Sequence, residues 1–359
     1  MHSWIYLRRR PTWLILCITA LALLDAAALL PAVGQNASRA DSSVAAGAPI
    51  TMDSARDFLM HGHEQLAIGV LQKLIAQQPP VADAYRELGI AYYRMGNLAE
   101  AEASFARAST KDPDDMESIQ MRGLTLYRLG RPKEALPYLL QTRNISGTAD
   151  MDANYVLGRC YISAQRYDDA RAAFAAQYGL SPQSGEAHIL MAQLLLTLEL
   201  ADPAEEAAQK ALTLAPRIPM AHFVLGKIYL AKGSFNRALD EFQQERAVNP
   251  AYPALYQFLG DLYLRMNDKV KAQQALTRAL SLDTSNTGSF ILMGRLFLDK
   301  NDPQTAAGYL EHAEQMDPKN YITHYMLGQA YRQMGRRDDA GRELDIVSKT
   351  HSEEIKARQ

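Results

Sequence analysis

Large apolar, small and turn-forming residues recur in fixed columns between residues 48 and 354. Gly89, Gly123, Gly158, Ala192, Gly226, Gly260, Gly294 and Gly328 mark the register, 34 residues apart except for the 35 between Gly123 and Gly158. Three residues after a marker stands a large apolar side chain such as Tyr92, Tyr161, Tyr229, Tyr263, Phe297 or Tyr331. Twelve after it there is always an alanine, from Ala101 and Ala135 through Ala306 and Ala340. Seven after it, Gly96, Gly130, Gly233, Asn267, Asn301 or Gly335 interrupts the pattern. Glycine and asparagine tolerate the left-handed backbone that ends a helix. Twenty-four after it, Pro113, Pro182, Pro216, Pro250 and Pro318 end the second helical stretch of the period. Each period therefore predicts helix A, a tight turn and helix B. One such hairpin cannot bury its apolar face alone, so neighbours must stack into a continuous core.

The segment Tyr85–Pro113, with Leu88, Gly89, Tyr92, Gly96, Ala101, Phe105, Ala108 and Pro113, resembles the tetratricopeptide repeat family. A weaker copy precedes it, with Ala55, Phe58, Gly62, Ala67, Leu71, Leu74 and Pro79 in the same columns. The resemblance implies an all-α chain: a right-handed α-solenoid of nine helix-turn-helix units. Their expected bounds are 48–81, 82–115, 116–150, 151–184, 185–218, 219–252, 253–286, 287–320 and 321–354, with a tail at 355–359. In this family helix A lines a concave groove. The resemblance thus implies peptide contacts from Arg86, Tyr93, Arg94, Tyr127, Arg128, Tyr155 and Arg159, then Phe223, Lys227, Leu230, Arg265, Arg295 and Tyr325. Ile291, Leu298 and Arg332 fall in the same columns, and Asp261 and Asp299 add acids to them. Aromatic and aliphatic groups interleaved with arginines suit an extended peptide or an amphipathic helix carrying acids. The competing reading is that Tyr93, Tyr127, Leu230 and Leu298 seal the seam between neighbouring A helices. The Lys–Asn pair that holds chaperone tails is not reproduced, since Arg86 goes with Ile90 and Gln120 with Leu124.

Three departures stand out. Pro137 falls inside a B helix, where it removes a hydrogen bond and predicts a kink. Thr142, Gln177 and the proline-replacing Gly147 disturb the same region, which predicts the loosest joint near 141–152. Ala192 replaces a marker glycine where Ala208 replaces the usual large residue, a pair expected to compensate in packing.

Residues 1–34 differ in kind. Arg8–Arg10 precede the apolar run Trp13–Leu24, and Ala32-Val33-Gly34 offers small residues for cleavage, the layout of a secretory signal. An uncleaved anchor through residues 11–33 is the alternative, which Asp25 disfavours. Either way the repeats are expected outside the inner or secretory membrane. Residues 35–47 read as a flexible linker.

Net charge −2 argues against nucleic acid as a partner. Signal, linker and repeats use nearly the whole chain, so no separate catalytic domain is expected. No catalytic residue, cofactor or metal is assigned. His61-Gly62-His63-Glu64 lacks the second histidine of a zinc-protease helix, because Ala67 stands there. His188, His222 and His324 share a column with Tyr85, Tyr256 and Phe290, as packed rings would. Cys160, beside Gly158, reads as a small core residue. The expected function is a non-catalytic protein–protein interaction scaffold in envelope, pilus or secretion-complex assembly. The alternative is a regulatory subunit of an envelope enzyme such as a glycan or peptidoglycan synthase.

Overall fold

The computed structural model describes residues 49–77, 81, 83–143 and 153–358. Among these residues there are eighteen helices and no strand. The expected signal and linker, Pro79 and the greater part of the expected joint at 141–152 lie outside them. The chain divides into two compact blocks, Met1–Pro182 and Gln183–Gln359.

The first block holds four hairpins. Their helices are α1 Met52–Met60 with α2 Glu64–Ile75, α3 Ala84–Arg94 with α4 Leu98–Lys111, α5 Met116–Arg128 with α6 Pro132–Gln141, and α7 Ala153–Ser163 with α8 Tyr167–Gln177. The second block holds five. These are α9 Gly185–Thr197 with α10 Ala201–Leu214, α11 Ala221–Ala231 with α12 Phe235–Val248, α13 Pro253–Arg265 with α14 Lys269–Leu282, α15 Thr287–Asp299 with α16 Pro303–Met316, and α17 Tyr321–Gln333 with α18 Arg337–Arg358. Within each block every B helix packs on its own A helix and on the next one.

The marker column is explained by a side chain sixteen residues on. A β-carbon built on Gly89 would lie 2.6 Å from Phe105, and one on Gly158 would lie 2.6 Å from Phe174. Gly123 meets Leu139 at 2.8 Å and Gly260 meets Leu276 at 2.5 Å in the same way. The glycine thus admits a ring or an isobutyl group from helix B directly against the backbone of helix A. At Ala192 the residue sixteen on is Ala208, and both are fully buried. The lost ring makes room for the added methyl, as the sequence predicts. The alanine column forms the floor of each seam: Ala67, Ala101, Ala135, Ala170, Ala204, Ala238, Ala272 and Ala306 are all 0% exposed.

Helix ends follow local chemistry. Gly96, Gly130, Gly233, Asn267, Asn301 and Gly335 all have positive φ, as expected for residues that close an A helix. In the two hairpins without glycine or asparagine at this place, Gln165 and Glu199 adopt the same conformation, each at φ 59°. Such a residue carries a steric penalty, so stacking imposes the turn there. Pro137 lies inside α6, which has 10 residues against 14 in α4, α10, α12, α14 and α16. Thr142 is buried and returns its hydroxyl to the Tyr138 carbonyl at 3.1 Å, which accommodates a polar residue at that seam.

Candidate functional site

In the first block Arg86, Arg94 and Arg128 are engaged with neighbouring hairpins, and Arg159 with a side chain of its own helix. The Arg86 guanidinium lies 3.2 Å from Asp115 of the next repeat, 3.4 Å from Asp83 and 3.7 Å from Glu117. Arg94 donates to the Leu59 carbonyl of the preceding repeat at 2.7 Å. Arg128 stands over the Tyr93 ring, 4.5 Å from its centroid, and Tyr93 is buried. Arg159 donates to the Tyr155 hydroxyl at 3.1 Å, while the Tyr155 ring meets Phe174 edge-on at 5.7 Å. Tyr127 is half-buried. The groove expectation for Tyr93 therefore needs correcting, because its ring belongs to the seam between A helices.

The second block differs. Phe223 and Leu230 are buried, as are Ile291 and Leu298. Leu230 thus follows the competing seam reading, while the contact expectation for Phe223 needs correcting, because its ring forms a wall against the neighbouring A helix. Phe223 packs edge-on against Tyr252 at 5.0 Å and against Phe258 at 5.3 Å. On this aromatic floor stands Lys227. Its ammonium lies 5.7 Å from the Phe223 centroid and 5.3 Å from that of Phe258, within cation–π range.

One residue after successive markers the chain places Lys227, Asp261 and Arg295. Asp261 could have neutralised Lys227, but it pairs with Arg265 at 2.9 Å and with Arg295 at 3.6 Å. Among the described residues no carboxylate reaches Lys227. Burial alone holds its pKa below the ordinary lysine value. The site is thus a half-buried cation with aromatic walls and, among the described residues, no carboxylate partner. Of the other expected residues, Arg265 and Arg332 are exposed, Arg295 is half-buried, and Tyr325 is 49% exposed on α17.

Sequence columns alone missed two features. Glu245 replaces the seam alanine found at Ala108, Ala211, Ala279 and Ala313, and it is fully buried. Its carboxylate accepts from the Met220 amide at 2.9 and 3.1 Å and from the Phe223 amide at 3.2 Å, capping α11. Met220 takes the left-handed conformation at φ 78° to make this possible. Burial raises the Glu245 pKa, and the two backbone donors offset part of that rise. The break in the alanine column was the available signal. The second feature is a cluster of Glu314, His324 and Glu343 in the last two hairpins.

Cys160 is buried and its thiol is pushed up to about 12 by desolvation, which keeps it protonated and inert. At the N-terminal hairpin, His61 Nδ1 lies 2.8 Å from the Asp57 carbonyl and His63 meets Phe58 edge-on at 6.4 Å.

Family models of the tetratricopeptide repeat match residues 58–121, 189–256, 253–286 and 297–358. The model for anaphase-promoting complex, cyclosome, subunit 3 matches residues 94–177. No curated protein matches the chain. Among solved structures, a tetratricopeptide repeat protein from Parabacteroides merdae is 19% identical, with 69% of this chain and 98% of that one covered at TM-score 0.41. YrrB, described as a TPR protein with an unusual peptide-binding site, is 20% identical over 53% of this chain and 96% of its own, at TM-score 0.40. The Cut9–Hcn1 hetero-tetramer of the APC/C is 17% identical over 78% of this chain and 56% of that one, at TM-score 0.43.

Proposed function

Because the chain is a tetratricopeptide repeat protein, we propose that it is an interaction scaffold whose A helices hold an acid-bearing peptide or amphipathic helix at Lys227. The observation that carries this reading is the charge imbalance around Lys227. A cation that has lost much of its hydration and lacks an internal partner costs stability, and an incoming carboxylate would relieve that cost. Half-buried Phe258, backed by the buried Phe223 ring, supplies apolar contact beside Lys227, so a partner presenting an acid next to an apolar side chain fits best. Arg332 adds an exposed cation on α17, while Arg265 and Arg295 share the single carboxylate of Asp261.

The proposed setting is outside the inner or secretory membrane, where envelope, pilus or secretion machinery would supply the partner. Support comes from Arg8–Arg10 ahead of the apolar run Trp13–Leu24. Among the described residues no helix is long and apolar enough to cross a membrane. The proposed tether is the 11–33 segment.

The test is selection of binders to the purified chain from a randomised peptide library. Enrichment of Asp or Glu beside an apolar residue is expected, and its disappearance when Lys227→Met is the bait. Binders of neutral or basic character, selected equally well by both baits, would overturn the reading. Intact-mass measurement of the exported protein tests the setting: loss of about the first 34 residues is expected for a cleaved signal and their retention for an anchor.

A further inference from the structure

We propose that Glu314, His324 and Glu343 form a binding site for a divalent transition-metal ion, such as Zn2+, that staples α16, α17 and α18 together. The three side chains come from three helices, and their ligand atoms all lie within 4.8 Å of one another. His324 is 2% exposed, with Glu343 at 13% and Glu314 at 35%. His324 Nε2 lies 2.9 Å from the Pro318 carbonyl, so it carries a proton and donates it there. That leaves Nδ1 directed at the acids, 2.7 Å from Glu343 and 3.8 Å from Glu314. A ring anchored by one N–H on a backbone carbonyl, with the other nitrogen turned toward carboxylates, is the orientation that metal-binding histidines adopt. Imidazole with carboxylates suits Zn2+ or another borderline first-row ion better than Ca2+, which takes oxygen ligands only.

Charge supplies a second argument. Two ionised carboxylates beside a protonated imidazole leave one negative charge in a part-buried space. A divalent ion that displaces the Nδ1 proton leaves none. The charged groups around the site are Glu311 and Glu314 on α16, His324 on α17, Glu343 on α18 and Arg336 in the turn before it. Glu311 is already taken by the Tyr331 hydroxyl at 2.9 Å, and Arg336 by Asp339 at 2.6 Å.

The repeat provides an internal control. Three hairpins earlier, His222 and Glu241 occupy the columns of His324 and Glu343 and make the same 2.7 Å contact. There the column of Glu314 holds Leu212, and in the other hairpins it holds Ile75, Ser109, Arg143, Tyr178, Arg246 and Leu280. The His–Glu pair is therefore a packing device that the fold uses twice. Glu314 is an addition that packing does not require, and it completes a third ligand.

The test is calorimetric titration of Zn2+ alone into the untagged full chain after chelator treatment and dialysis, with Co2+ absorption as a second readout. One equivalent should bind, release about one proton, weaken as pH falls through the histidine range, and raise the melting temperature. Glu314→Gln keeps the His324–Glu343 pair and should fold normally while weakening Zn2+ at least tenfold. His324→Gln should do the same, and His222→Gln should leave the affinity unchanged. Non-stoichiometric binding, or a one-to-one affinity that Glu314→Gln leaves intact, would overturn the site.

Discussion

Gly158 and Phe174 share a space that holds a β-carbon or a ring, not both, since the two would stand 2.6 Å apart. Gly158→Ala should destabilise the chain by about 1–3 kcal/mol through overpacking. Shrinking the partner relieves the clash, so urea melts of Gly158→Ala, Phe174→Ala and the double variant should show a total cost smaller than the sum. Additive costs would deny the contact. The turn residues Gln165 and Glu199 give a change of opposite sign. Each pays about 1–2 kcal/mol for its left-handed backbone, less the unfolded-chain entropy that a glycine would add. Gln165→Gly and Glu199→Gly should therefore each stabilise by about 0.5–1 kcal/mol in the same melts. At this scale the columns were readable because each answers one local demand: no β-carbon, positive φ, or a floor no wider than alanine. Tyr93 and Leu230 follow the competing seam reading, and Phe223, read only as a contact residue, was not readable as buried. Their columns face the adjacent A helix, and whether such a side chain reaches solvent depends on the size of its neighbour in the next repeat.

Helix ends and caps belong to the next scale. The hairpin α11–α12 is closed by Glu245, whose carboxylate takes the Met220 and Phe223 amides in place of an ordinary side-chain cap. Glu245→Ala should cost about 1–3 kcal/mol, because two buried donors lose their acceptor. The same group gives a pH signature. Its folded pKa is raised, so the folded state holds the proton more tightly than the unfolded chain does. The contribution is present below the unfolded value near 4.5 and is lost as pH rises through the folded value. Relative to Glu245→Gln, the native chain should lose stability across that window, as measured by denaturant melts at stepped pH. An unchanging difference would mean that the carboxyl is not the titrating group. Helix order was legible from turn spacing alone, and the caps at Asp115, Ser184, Asn286 and Asn320 follow ordinary chemistry. The Glu245 cap was hidden because an acid in an alanine column reads as an exposed substitution until the Met220 turn brings donors to it.

At the scale of the molecule, the all-α repeat architecture of the described residues was legible, while the working surface was legible only as a set of columns. Pairing decides which column members remain available, and much of it joins one repeat to the next, as in Arg86 with Asp115 and Asp261 with Arg295. Lys227, like the exposed Arg332, remains without a carboxylate partner among the described residues. If it serves binding and not folding, Lys227→Met should hold or raise stability, by about 1 kcal/mol, because an apolar side chain of similar length sits better on Phe223 and Phe258. A large loss in the thermal melt would instead make Lys227 a structural residue.

The scaffold reading meets its most direct test in calorimetric titration of one acid-bearing peptide into the native chain and into Lys227→Met, each at low and high salt. The native chain should bind at least tenfold more tightly, a difference of about 1.4 kcal/mol, and added salt should narrow the gap. Equal affinities at both salt concentrations would contradict the proposed role of Lys227.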